Sequence, residues 1–408
     1  MIYNSVLMHS THPLSLYIHI PFCTHRCAYC DFNTYAGQEE MIPAYVDALC
    51  REIEFVGHSA RAKCRSGEDR APRSVHTVFF GGGTPSLLAP QEFDSILTSI
   101  YNNFSLSDRA EITIEANPGT VSYDNLIKLR RLGINRISYG VQSANTEELR
   151  MLERAHDFFD VIGAVTSARK AGFDNLNLDL IYGLPEQTLQ TWQTTVKRTL
   201  DLHPEHISAY ALTLEHGTPF GRWSSKGLLP LPDPDLAAEM YEWLGETLEA
   251  NSYIQYEISN WARPGYECRH NLQYWRGLPY LAFGAGAHGY AGGYRYSNVL
   301  RIKTYIDRMI NYQLTDHVFP TTPVTVNHHK QTLQDEMSEF MMTGFRLIRE
   351  GVSEEEFQAR FGQSMRDVYG KEITELLELG LIQNGAGERI KISRRGRLLG
   401  NHVFMKFV

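Results

Sequence analysis

The sequence predicts an α/β fold: a partial (β/α)6 barrel of TIM-like build over residues 1–300, then a small helical, winged-helix-like domain over 301–408. Two observations carry this expectation. Through the first half, short β-branched or aromatic runs alternate with longer segments of helical period, the pattern of repeated βα units around a parallel sheet. From about residue 300 the character changes to successive helices and a short terminal strand pair. A chain of 408 residues also exceeds what one hydrophobic core usually holds, which favours a large domain with a smaller one.

In chain order the strands are expected at "LSLYIHI" (14–20), "HTVFF" (76–80), "EITIEA" (111–116), "RISYGV" (136–141), "NLNLDLIYG" (175–183) and "HISAYAL" (206–212). Helices follow each, over 39–56, 91–103, 122–132, 157–171, 188–201 and 234–250. The polar stretch "GHSARAKCRSGEDRAPRSVH" (57–76) has no apolar period and reads as a surface loop. "SSKGLLPLPDPD" (224–235), rich in Pro and Gly, reads as an excursion before the sixth helix. The terminal domain is read from "DEMSEFMMTGFRLI", "EEEFQARFG", "EITELLELGLI", "ERIKIS" and "RRGRLLGNHVFMKF".

Composition narrows the partners. With 43% hydrophobic and 21% charged residues the chain is an ordinary globular protein. A net charge of −8 argues against a nucleic-acid partner, since phosphate binding calls for excess Lys and Arg. No apolar run approaches the ~20 residues of a spanning helix. The opening "MIYNSVLMHSTHPLSLYIHIPF" lacks a basic stretch followed by a long apolar one, so a soluble, cytoplasmic protein is expected. Of six cysteines, three crowd into eight positions, which looks like a ligand set rather than a disulfide framework.

A parallel βα barrel gathers its reactive groups on the loops at the C-terminal ends of its strands. Here the first strand leads into Cys23, Cys27 and Cys30, the second into "GGGTPS" (81–86), and the third into "EANPGT" (115–120). The fourth leads into "GVQSAN" (140–145), the fifth carries Asp179 into "YGLPEQT" (182–188), and the sixth ends in "YALTLEHGT" (210–218). Three thiolates spaced by four and then three residues can wrap one corner of a metal or cluster. Zinc completed by a distant His, or inert buried cysteines, are the rival readings; no second CxxC arm is present. A four-iron cluster leads, because three thiolates leave one iron open to an outside ligand. Gly81, Gly82 and Gly83 would let backbone approach a ligand closely. Glu115, Gln142, Arg154 and Asp179 supply acceptors and one cation suited to an amine, a ribose and a carboxylate, although each alone also reads as a rim salt bridge.

Taken together, "YIHIPFCTHRCAYCDF", "FFGGGTPSLL", "EANPGTV", "ISYGVQSAN", "LERAH", "LDLIYGLPEQT" and "HNLQYW" resemble the radical SAM proteins related to oxygen-independent coproporphyrinogen III dehydrogenase. The resemblance implies that Cys23, Cys27 and Cys30 bind a 4Fe-4S cluster whose open iron takes S-adenosylmethionine, with an electron donor for the cluster. It further implies that Tyr17, Tyr29, Gly82, Gly83, Thr84, Glu115, Gln142, Arg154, Asp179 and Ala211 surround the S-adenosylmethionine. No side chain is assigned as catalytic, since cofactors carry such radical chemistry.

Two departures matter. Phe32 stands where the dehydrogenase pattern has a further cysteine, and only 22 residues precede Cys23, too few for that enzyme's N-terminal extension. The Cys-Asp-Phe ending with "HNLQYW" is similar instead to a haem chaperone branch, which binds haem and hands it to haem proteins such as respiratory complexes. On that resemblance His270, Asn271, Tyr274 and Trp275 are expected at haem, His270 as axial ligand, with Cys268 a second candidate and Arg269 or Arg276 meeting a propionate. The residues by themselves favour a satisfied histidine and core aromatics. The expected function is therefore a haem chaperone with a radical SAM core. The alternative is a radical SAM enzyme acting on a tetrapyrrole, dehydrogenase-like or a methyltransferase. A homodimer and a peripheral membrane contact are further expectations.

Overall fold

Six parallel strands carry the larger domain: β1 (Leu14–Ile20), β2 (Val75–Gly82), β3 (Leu106–Ala116), β4 (Arg136–Gln142), β5 (Leu176–Tyr182) and β6 (His206–Ala211). They come from a computed structural model that describes residues 13–65, 74–312 and 319–408. Parallel neighbours need crossovers, supplied by α1 (Ile42–Arg65), α2 (Pro90–Asn103), α3 (Tyr123–Arg131), α4 (Thr146–Met151), α5 (Phe158–Lys170) and α6 (Leu189–Leu200). Helix starts are fixed by side-chain caps: Ser122 accepts from Asn125 N–H, Asp157 from Phe159 and Asp160, and Thr188 from Thr191. After β6 come α7 (Pro219–Ser225) and α8 (Pro234–Ala250).

The sheet is wider than six strands. β7 (Ile254–Glu257) and β8 (Asn260–Ala262) form an antiparallel pair beside β6. After α9 (Arg269–Trp275), β9 (Tyr280–Phe283) lies parallel to the other edge of β1, a strand the sequence reading did not foresee. β10 (His288–Ala291), β11 (Tyr294–Asn298) and, after α10 (Ile302–Ile310), β12 (Thr325–Lys330) continue it antiparallel. The order is β12-β11-β10-β9-β1-β2-β3-β4-β5-β6-β8-β7, with two free ends, so the barrel is partial.

Strand alternation sorts the side chains into two environments. Leu16, Ile18, Val78, Phe80, Ile112, Ile114, Ile137, Tyr139, Leu178 and Leu180 are buried beneath the helices. The alternate positions Ser15, Thr77, Glu111, Thr113, Arg136, Ser138, Asn177, His206 and Ser208 are also buried, and they give the barrel a polar lumen.

Three expectations need correction. The loop expected at 57–76 is helical up to Arg65; residues 66–73 lie outside the described residues, as do residues 1–12 of the opening segment. Gly57, the first residue of that stretch, serves packing: a Cβ there would meet the Asn103 Cβ at 2.6 Å, so its absence lets α1 approach α2. The division expected at residue 300 cuts through one core, because Ile302, Tyr305, Ile306, Met309 and Val324 pack with the barrel. The second core begins at Met337, on α11 (Leu333–Gly344), and includes residues of α12 (Glu354–Phe361) and α13 (Met365–Glu378). Its strands are Val352–Ser353, Ile382–Asn384 and Arg389–Ile392, and "RRGRLLGNHVFMKF" is helical over Arg394–Leu398 and Gly400–Phe404 rather than extended.

Glu52 ties the barrel's added strands to α1. Its buried carboxylate accepts from Gly284 N at 2.8 Å, Asn298 Nδ2 at 2.8 Å, Tyr305 OH at 2.7 Å and Thr322 Oγ1 at 3.2 Å. Burial pushes its carboxyl up to about 7 in spite of these donors. The folded state thus holds the proton more tightly than the unfolded chain, whose ordinary value is near 4.5. The stability Glu52 contributes is full below the unfolded value and is lost as pH rises through the folded one, by up to roughly 3 kcal/mol. Urea melts should show wild type losing stability relative to Glu52→Gln between pH 4.5 and 7; parallel pH profiles would contradict this.

Candidate functional site

The loop after β1 is pinned before it can present its thiols. Phe22–Cys23 pairs with Tyr35–Ala36 and closes the loop at its base. Cys30 N–H donates to Cys27 O at 3.1 Å, Phe220 N–H to Ala28 O at 3.0 Å, and Asn33 Nδ2 to Ala285 O and Leu300 O at 3.1 and 3.0 Å. Cys23 is buried, and Cys27 and Cys30 are half-buried. Burial holds the thiols of Cys23 and Cys30 above their ordinary range.

Donors surround the sulfurs. Thr84 Oγ1 donates to Cys23 Sγ at 3.5 Å, and Arg154 Nη1 to Cys27 Sγ at 3.7 Å. Arg154 Nη2 also donates to Gly140 O and Asn117 Oδ1, each at 2.6 Å, while Asn117 Nδ2 donates to Thr84 Oγ1 at 3.1 Å. Asn117 therefore links the two groups that touch sulfur, a role that single-residue reading of "EANPGT" missed. The Tyr29 hydroxyl sits by Arg154, and burial raises its pKa.

This arrangement fits a thiolate-ligated cluster. The donors aim at sulfur, where they stabilise thiolate charge, and Arg154 Nε is buried with no partner among the described residues. Among those residues no three Cys, His, Asp or Glu side chains gather as ligands of a single metal ion.

Beside the thiols, the other loops build a polar mouth. Gly82, at φ +113°, turns its N–H to Glu115 Oε2 at 3.0 Å; a Cβ there would strike His19. Gly83 and Thr84 donate their N–H groups to Ile20 O and Phe22 O, both at 2.8 Å, which holds the glycine loop against the cysteine loop. Burial, then repulsion from Asp179, pushes Glu115 up to about 7. Burial also raises Asp179, whose carboxylate accepts from Ser138 Oγ and Asn177 Nδ2, each at 2.8 Å. Gln142 holds a left-handed backbone at φ +67° at the end of β4, Ala211 is exposed at the end of β6, and Tyr17 reaches the same space from β1. All the residues expected around S-adenosylmethionine thus lie at or near the C-terminal mouth.

The residues expected at haem lie at the opposite mouth. α9 plugs the N-terminal end of the barrel: Gln273 Nε2 donates to Pro13 O at 3.0 Å, and Arg269 Nη1 to Arg109 O at 2.7 Å. Glu111 caps the helix, accepting from Arg269 N and His270 N at 3.2 Å each and from Cys268 Sγ at 3.7 Å. His270 is buried and neutral, its pKa lowered to about 3 by burial and by nearby His76 and Arg136. Thr77 donates to Ser15, so His270 Nδ1 donates to Thr77 Oγ1 at 2.7 Å, and Nε2 accepts from Tyr274 OH at 2.8 Å. In this conformation α9 offers no vacant imidazole nitrogen to a haem iron. Trp275 lies under the Arg346 guanidinium at 4.3 Å, Arg276 pairs with Glu350 at 2.6 Å, and Asn271 is half-buried.

The chain has clear relatives. Its sequence matches the Radical SAM superfamily over residues 17–199 and the HemN C-terminal domain over residues 331–399. A heme chaperone HemW of Bacillus subtilis (strain 168) is 38% identical, over 97% of this chain and 99% of that protein. One of Escherichia coli (strain K12) is 36% identical, over 97% of this chain and 98% of its own. Among solved structures, coproporphyrinogen III oxidase (HemN) from Escherichia coli, a radical SAM enzyme, superposes with a TM-score of 0.80 at 25% identity, covering 99% of this chain and 92% of that one. The likeness spans both domains and bears out the fold class read from the sequence. With similarity of this extent along both chains, the protein belongs to the radical SAM superfamily and, within it, to the HemW family.

Proposed function

We propose that this protein is a haem chaperone of the cytoplasm, which takes up haem and passes it to acceptor haem proteins. The observation that carries this reading is the full-length similarity to proteins named heme chaperone HemW, joined to Phe32 and "HNLQYW" in this chain. No helix among the described residues is long and apolar enough to cross a membrane, in keeping with that reading.

In this reading Cys23, Cys27 and Cys30 hold a 4Fe-4S cluster, and Tyr17, Tyr29, Gly82, Gly83, Thr84, Glu115, Gln142, Arg154, Asp179 and Ala211 hold S-adenosylmethionine beside it. A bound cluster with S-adenosylmethionine supplies one-electron radical chemistry. The chain's own contribution is positional: Thr84 and Arg154 stabilise charge on the thiolates, Gly82 orients Glu115, and Asn117 holds both donors in register. Haem is assigned to the face of α9 bearing His270, Asn271, Tyr274 and Trp275. Ligation by His270 requires α9 to leave the barrel floor first, because both ring nitrogens are spent there.

Haem titrated into the anaerobically purified protein should co-elute in gel filtration at about one per chain. Loss of haem from the cluster-loaded and apo forms alike, with 5′-deoxyadenosine formed on a tetrapyrrole, would replace the chaperone with an enzyme. Cys27→Ser should bring iron close to background while the C-terminal domain stays folded, since the thiols sit on a rim loop outside both cores; full iron retention would refute the ligand assignment. Asn117→Ala should weaken S-adenosylmethionine binding roughly tenfold, the loss expected for one hydrogen bond to a charged group. Unchanged affinity in equilibrium dialysis would remove Asn117 from the site.

A further inference from the structure

Arg136 is the first residue of β4, and its side chain enters the lumen of the barrel. It is only 2% exposed, yet it has no hydrogen bond or ion pair with any described residue, and its Nε is buried without a partner. Glu111, the carboxylate nearest in kind, is committed to the start of α9, and Asp179 to Ser138 and Asn177. The field of Cys268, Glu111, Tyr256 and Asp179 keeps the guanidinium charged in spite of burial, yet it spends none of its donors on them.

A second orphan stands next to it. Thr113 is the register partner of Arg136 on β3, is fully buried, and its hydroxyl also lacks a partner. Phe79 is the register partner of Thr113 on β2, so a flat ring, a hydroxyl and a guanidinium form one row across three strands. Phe79 stacks on His270 below at 5.0 Å and, beside it, on its register partner Tyr17 of β1 at 6.3 Å, an aromatic wall level with the row and resting on the floor. The row lies about 13 Å below Gly140, the strand position that Arg154 grips at the rim, counted as four residues of about 3.3 Å each. It adjoins the place expected for S-adenosylmethionine from below, since Tyr17 is level with the row and Glu115 stands two residues above Thr113.

We propose that Arg136 and Thr113 form a carboxylate-binding subsite deep in the lumen, which takes a propionate of a tetrapyrrole laid along the Phe79 wall. The guanidinium offers donors alone and the Thr113 hydroxyl can turn its proton the same way, which suits an anion, and the lining is flat and apolar on one side. The choice of a tetrapyrrole rests on the haem chaperone reading; the carboxylate subsite does not.

The test uses the full chain with sodium propionate, haem and haem dimethyl ester as probes. Propionate should raise the melting temperature of wild type saturably and leave Arg136→Met unmoved, with Thr113→Val bound several-fold more weakly. Without ligand Arg136→Met should melt within a few degrees of wild type, because no hydrogen bond of the guanidinium is lost. Haem should bind at least tenfold tighter than its dimethyl ester, a preference that Arg136→Met abolishes. An equal response of wild type and Arg136→Met to propionate, or a much lower melting temperature for the variant, would make Arg136 structural and overturn the subsite. Propionate binding without haem binding would sink the chaperone reading and leave the subsite standing. Equal affinity for haem and its ester would overturn the tetrapyrrole assignment.

Discussion

Glu111 spends both carboxylate oxygens on the start of α9, and the architecture of the barrel follows from that. A βα barrel without a floor would leave its polar lumen open at both ends, with buried groups exposed to water on the wrong side. With two backbone N–H groups and the Cys268 thiol held by one carboxylate, α9 is seated across the N-terminal mouth. His270 and Gln273 then reach into the strand ends, where they bond Thr77 and His76. The C-terminal mouth is left as the open one. There the cysteine loop and the glycine loop grip each other through backbone bonds, so the thiols stand on a surface fixed by the sheet rather than by the loop's own stiffness.

Much of this was legible in the chain. All six barrel strands and α1, α2, α3, α5, α6 and α8 follow from period and composition, since a parallel strand buried on both faces and an amphipathic crossover helix leave distinct patterns, whereas the short α4 and α7 were not foreseen. The rim residues were legible too, because their place at strand ends follows once the strands are known. What the sequence hid was long-range. β9 is a four-residue strand whose neighbour, β1, lies more than 260 positions earlier, and nothing local announces such a pairing. Gly57 carries the local signature of a helix end and is there for close packing against α2.

The polar lumen was partly visible. "EITIEA" and "RISYGV" each alternate polar with apolar, which puts Glu111, Thr113 and Glu115 on one face and Arg136 and Ser138 on the matching face of the next strand. Period alone cannot tell whether such a face meets solvent or the inside of a barrel. The residues of "HNLQYW" by themselves favour a satisfied histidine, and hydrogen bonding does satisfy His270 at both nitrogens inside the barrel. Naming its partners required knowledge of Thr77 and Tyr274 as neighbours, one nearly two hundred residues away in the chain.

The last turn of α9 is held from outside by the C-terminal domain: Arg346 lies over Trp275, Glu350 clasps Arg276, and Arg360 Nη2 donates to Gly277 O just beyond it at 2.9 Å. The floor of the barrel and the seating of the small domain are thus one mechanical element. By thermodynamic reciprocity, a ligand that draws α9 off the barrel weakens the grip between the domains, and a protein that grasps the small domain changes affinity at α9 by the same factor. Events on the two sides of α9 are in this way coupled through a single helix without direct contact.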